Sequence, residues 1–97
     1  MYVTMNLSEL RKEIDKIDSE IIELLHERLS ISVQIAEYKS KNNLPVLDKK
    51  REDEIINDRV SKFNSTNHAD SKFISSLFKT ILDKSKEIQE NKIKDGN

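Results

Sequence analysis

The residues of this chain that could do chemistry are polar ones standing where a helix would carry something apolar or inert. Arg28 occupies a seam position where Leu or Ile would fit, and burying a guanidinium without a partner is costly. Lys39 follows eleven residues later, close to three helical turns, so the two cations share one face. Something anionic should meet them. Arg51 and Glu52 come directly after Asp48, a good helix cap, where backbone N–H groups also point outward. Ser85 interrupts a later apolar stripe, and Gln89, four residues on, stacks on the same side. Each has a plainer reading: Arg28 can pair with Glu23 or Glu27, Arg51 and Glu52 can be ordinary first-turn charges, and Ser85 with Gln89 an exposed strip.

Three helices are expected to position these residues, and the fold class is all-α. Leu7, Leu10, Ile14, Ile17, Ile21, Leu24, Ile31, Ile35 and Tyr38 advance in steps of three and four, broken only at Arg28. This is one apolar seam on one continuous helix. Asn6 with Glu9 resembles a capping box at its start, and Asn42-Asn43-Leu44-Pro45 ends it near Lys41. Asp48 opens a second helix with Ile55, Ile56, Val60 and Phe63 inward, ending in Asn64-Ser65-Thr66-Asn67. Asp70 opens a third, whose stripe is Phe73, Ile74, Leu77, Phe78, Ile81, Leu82 and Ile88. Residues 1–6 read as a leader, 7–90 as the folded domain and 91–97 as a polar tail that frays.

A first helix of that length spans roughly 50 Å, whereas a compact domain of this size has a radius of gyration of about 13 Å. Its seam would lie bare in water. Pairing with the same helix of a second copy removes the exposure, so the spacing predicts a two-fold homodimer.

Composition narrows the function. Seventeen basic residues against eighteen acidic ones leave a net charge of -1, so no global field draws the chain to nucleic acid or to an anionic membrane. The chain has no cysteine, and His26 and His68 stand far apart without other ligands at metal spacing. Neither a metal nor a cofactor is expected, and both histidines read as surface residues. With no span-length apolar stretch, the expected setting is the cytoplasm.

The order Leu10-Arg11-Lys12-Glu13-Ile14-Asp15-Lys16-Ile17-Asp18, Glu27-Arg28, Lys39, Pro45-Val46, Asp48, Arg51-Glu52, Ser85 and Gln89 resembles the all-helical (AroQ, type II) class of chorismate mutases. The likeness spans roughly residues 7 to 90. It implies an isomerase that rearranges chorismate to prephenate in phenylalanine and tyrosine synthesis. It further implies that Arg28, Lys39, Asp48, Arg51, Glu52, Ser85 and Gln89 line one pocket, with Arg11 entering from the partner chain. By the same resemblance, the arginines and Ser85 bind the two substrate carboxylates. Glu52 and the backbone at Asp48 hold the ring hydroxyl, and Lys39 and Gln89 hydrogen-bond the ether oxygen, with Lys39, Gln89 and Arg28 the catalytic set.

Helix geometry bears on the shared site independently. Arg11 and Lys39 are 28 residues apart, about 42 Å at the helical rise, so one small molecule cannot touch both within one chain. An antiparallel partner supplies Arg11 instead. Two rival readings stand beside this one. An isochorismate pyruvate lyase would share the fold and the cations but is expected to lack the Arg51-Glu52 pair. A non-catalytic dimerisation or regulatory module would leave Arg28 unexplained.

Overall fold

A computed structural model describes residues 4–95. Three α-helices follow in order: α1 over Leu7–Lys41, α2 over Lys49–Asn64 and α3 over Ser71–Asp95. There is no strand among the described residues. Residues 1–3 of the expected leader and 96–97 of the expected tail lie outside the described residues. Residues 91–95 of that tail are helical, since α3 continues past Glu90 to Asp95. The chain divides into two compact units, Met1–Ile31 and Ser32–Asn97, with α1 beginning in the first and ending in the second.

The helix starts follow from their caps. Glu9 N–H donates to Asn6 Oδ1 at 2.9 Å, and the Glu9 carboxylate accepts from Asn6 Nδ2 at 3.4 Å, a side-chain variant of the capping box. Arg51 N–H donates to Asp48 Oδ1 and Phe73 N–H to Asp70 Oδ1, each at 3.0 Å. Each carboxylate thus satisfies one of the N–H groups that a helix start leaves without an intrahelical acceptor.

The end of α1 is equally specific. Asn43 takes φ 54°, the left-handed region that Asn tolerates better than most residues. Leu44 N–H donates back to Lys39 C=O at 2.8 Å and Asn43 N–H to Ser40 C=O at 3.4 Å, the paired bonds of a Schellman motif. Pro45 then forbids further helix. At the end of α2, Thr66 donates to Phe63 C=O through both its N–H and its hydroxyl, which satisfies a last-turn carbonyl.

In the second unit, α2 and α3 pack as an antiparallel helical hairpin. Phe63 meets Phe73 with ring centroids 5.9 Å apart, and the Arg59 guanidinium lies 5.9 Å over the Phe78 ring. Glu52 of α2 meets Lys86 of α3. Ile55, Ile74, Leu82 and Ala36 form the buried apolar core. On the final turns of α1 the inward face is Ser32 and Ala36, while Ile31, Ile35 and Tyr38 are exposed. The seam expected from the sequence is therefore not the surface that α1 turns inward within this unit.

The first unit is helical from Leu7 to its end, and α1 is its one element among the described residues. Leu10, Ile14, Ile17, Ile21 and Leu24 lie along it at helical spacing, each between 48% and 64% exposed. Both histidines are exposed.

Candidate active site

The second unit brings four expected and unexpected polar side chains into one hydrogen-bonded line. Lys39 is the last inward-facing cation of α1, and the Schellman turn folds the following chain back so that the Lys39 ammonium donates to Val46 C=O at 2.8 Å. The same ammonium donates to Gln89 Oε1 at 3.1 Å. Gln89 Nε2 in turn donates to Ser85 Oγ at 3.5 Å, and Ser85 Oγ is hydrogen-bonded to Ser32 Oγ. Gln89 and Ser85 are each 6% exposed and Ser32 2%. Lys39 is half-buried.

This arrangement fixes the Gln89 amide. A primary amide can usually flip its oxygen and nitrogen at little cost, but an ammonium can only donate. The Gln89 oxygen must therefore face Lys39, and its NH2 group is presented on the other side. A half-buried cation and a buried amide are thus held side by side, an arrangement able to stabilise charge on an oxygen.

A second cluster joins α2 to α3. The Lys86 ammonium lies 3.0 Å from Glu52 and 3.6 Å from Asp83. The Glu52 side chain is 19% exposed and that of Lys86 30%. The hydrogen bond to Glu52 raises the Lys86 pKa above its ordinary value, with the nearby Glu52 and Asp83 charges adding to the effect. Lys86 thereby holds Glu52 in place.

Four further residues were expected at the site. Asp48 is exposed, with its carboxylate spent on the α2 cap. Arg51 lies 3.8 Å from Glu54 with more than half its side chain in solvent. Arg28 and Arg11 belong to the first unit, Arg28 half-buried and Arg11 exposed. Among the described residues no group of His, Asp or Glu is placed to hold a metal ion. No helix there is long and apolar enough to cross a membrane.

Two residues in these clusters escape the sequence reading. Ser32 is silent because a serine inside a long helix reads as surface, and the apolar seam directs attention to Ile31 and Ile35. The signal that could have found it is its spacing to Ala36 and Lys39, four and seven residues on, which places all three on one face. Lys86 lies in the charge-rich stretch Lys84–Lys94, which reads as a solvated face, although its adjacency to Ser85 is a hint.

A three-helix, all-α chain with a half-buried ammonium and a buried amide beside each other could hold a bound molecule and stabilise charge on it. Comparison with known proteins identifies the family. Residues 10–90 match the family described as Chorismate mutase type II, and the chain belongs to that family as an enzyme of the chorismate mutase type. It is 34% identical to a chorismate mutase of Methanocaldococcus jannaschii over 83 residues, covering 86% of this chain and 83% of the relative. Over 58 residues it is 50% identical to a bifunctional chorismate mutase/prephenate dehydratase of Aquifex aeolicus, covering 60% of this chain and only 16% of that longer protein. A conserved hypothetical protein from Pyrococcus furiosus has a similar solved structure, with a TM-score of 0.69 and 40% identity over 90% of this chain and 99% of that one.

Proposed function

We propose that this chorismate mutase rearranges chorismate to prephenate at a site centred on Lys39 and Gln89 and completed by Arg11 of a second copy. The observation that carries the site is the hydrogen bond from the Lys39 ammonium to Gln89 Oε1, because it holds a cation and an amide next to each other. In the rearrangement a carbon–oxygen bond breaks as a carbon–carbon bond forms, within one molecule and with no proton transferred. The electrons stay in the substrate, so neither a nucleophile nor a cofactor takes part in this scheme.

What the protein must supply is the compact substrate conformer and a place for charge. Arg28, Arg51 and Ser85, with Arg11 of the partner, bind the two carboxylates, and a planar guanidinium fork fixes the plane of a carboxylate that it grips with two bonds. Holding the reacting carbons near one another replaces an entropic part of the barrier. Glu52 and the Asp48 backbone hold the ring hydroxyl. As the ether bond lengthens, negative charge gathers on its oxygen. Two of the three Lys39 ammonium hydrogens are directed to Val46 C=O and Gln89 Oε1, and the third meets that oxygen together with the Gln89 NH2.

The homodimer rests on two observations. Leu10, Ile14, Ile17, Ile21 and Leu24 of the first unit are about half or more exposed, with no other element of that unit among the described residues to cover them. Covering them with the same helix of a second copy removes that apolar area from water at roughly 25 cal/mol per Å². Arg11 lies on this stretch, 28 residues before Lys39, so a partner that covers the seam can deliver Arg11 to the other chain's site. A cytoplasmic setting and a place in phenylalanine and tyrosine synthesis belong to the same proposal.

The test is loss of chorismate's diene absorbance with identification of prephenate as the product. Lys39→Ala is expected to lower kcat by about 100 to 1,000-fold with helix content unchanged by circular dichroism. Near-normal turnover in that variant would remove Lys39 from the centre of the site.

A further inference from the structure

Ser32 has no part in the mechanism above, yet it is the most deeply buried polar side chain of the second unit's core, at 2% exposure. It stands on the inward face of α1 beside Ala36, which is fully buried, where alanine would cost nothing in packing or in desolvation. A hydroxyl placed there must be hydrogen-bonded. A hydrogen bond from α1 to α3 joins it to Ser85 Oγ, and Ser85 Oγ also accepts from Gln89 Nε2. The line from Ser32 through Ser85 thus ends on the amide whose other end receives the Lys39 ammonium.

We infer that Ser32 is a positioning residue, acting through Ser85 to hold the Gln89 carboxamide in the orientation that presents its NH2 group to the reacting oxygen. Serine hydroxyls rotate freely unless something fixes them. The bond to Ser32 pins the Ser85 oxygen and with it the lone pair that Gln89 Nε2 meets. At 3.5 Å that last bond is long, so Gln89 keeps enough freedom to shift toward substrate while its rotation stays limited. With Ser85 giving its one hydrogen to a substrate carboxylate in the proposed function, Ser32 is the donor of the bond between the two serines. The role rests on the proposed function of Gln89 and extends it to a residue that touches no substrate.

The consequence is a separation of kcat from KM. Ser32 touches no carboxylate itself and reaches Gln89, a donor used as the ether bond breaks, through Ser85, so Ser32→Ala is expected to lower kcat roughly two- to tenfold, the range of one net hydrogen bond, with a smaller rise in KM for chorismate than Ser85→Ala, which removes a carboxylate-binding hydroxyl in the proposed function. In a Ser85→Ala background the same Ser32→Ala change is expected to have no further effect on kcat, because the connection is already broken. A purely structural role would lower the thermal midpoint in both backgrounds and leave kcat alone.

The experiment is this double-mutant cycle, with kcat, KM and thermal midpoint measured for the parent, both single variants and the double variant, and Gln89→Ala measured alongside. Loss of kcat in Gln89→Ala, Ser85→Ala and Ser32→Ala, with the double variant equal to Ser85→Ala, supports the inference. An unchanged kcat in Ser32→Ala while Gln89→Ala is impaired overturns the inference and leaves the site intact. Equal losses from Ser32→Ala in both backgrounds overturn it as well. Full activity in Gln89→Ala overturns the proposed site itself, which is a different result from either.

Discussion

At the scale of single residues, the site depends on which atom faces which. Gln89 presents an NH2 group because Lys39 holds its oxygen. A carboxylate at that position would have no hydrogen to donate until protonated. Gln89→Glu is therefore expected to retain activity at acidic pH and to lose it as the new carboxyl ionises, while the parent shows no such fall. A pH profile of kcat/KM for both proteins checks this, and a flat profile in the variant would count against the ether-oxygen role. Lys86 carries a second pH signature, in stability. Its folded-state pKa is raised above 10.5 by Glu52, so the stabilisation it gives is complete below that ordinary value and fades as pH rises through the raised one. Lys86→Met is expected to lower the thermal midpoint at pH 7 by a few degrees at most, about 1 kcal/mol or less for a partly exposed pair. The difference from the parent should shrink once the pH exceeds 10.5.

The helical elements were legible in the sequence almost to the residue, because their limits are set by local chemistry. Asn6, Asp48 and Asp70 each place an oxygen on a backbone N–H three residues on, and such caps can be read without knowing the fold. The Asn42-Asn43-Leu44-Pro45 stop is legible for the same reason, although its geometry, an asparagine at φ 54°, is not. The far end of α3 was less so: a run such as Glu90-Asn91-Lys92 looks like a fraying tail, yet Lys92 reaches Glu37 of α1 at 3.6 Å, a tertiary contact no local pattern announces. The inward face of α1 near Ser32 and Ala36 was hidden by the stronger apolar signal of Ile31, Ile35 and Tyr38. A periodicity argument finds the largest apolar face, and on this helix that face is not the one packed within the chain. Ser32 and Lys86 escaped for related reasons, since a small polar residue and a lysine in a charged run both look solvated. Asp70 offers a test of the cap reading alone: Asp70→Ala is expected to cost roughly 0.5–2 kcal/mol, seen as a lower thermal midpoint, with kcat unaffected because Asp70 lies outside the site.

At the scale of the molecule, the two units pose different physical problems. The second has an antiparallel hairpin, a small core and a buried polar line, and it holds Lys39, Ser85 and Gln89 by itself. The first offers an apolar helical face that no other element of its unit covers among the described residues. In the proposed function a second copy covers that face and also brings the arginine that completes the carboxylate clamp. Dimerisation and catalysis would then be inseparable, since a chain deprived of its partner would lose both its apolar cover and Arg11.

Subunit complementation tests this shared site most directly. Arg11→Ala and Lys39→Ala chains, each nearly inactive alone, are mixed in equal amounts and allowed to exchange, with heterodimer formation confirmed by mass. One site of each heterodimer then takes intact Lys39 from one chain and intact Arg11 from the other. Random pairing gives intact sites in about one quarter of the total, so activity is expected to return to about a quarter of that of the parent. Confirmed exchange with no recovery of activity would contradict a site built from two chains.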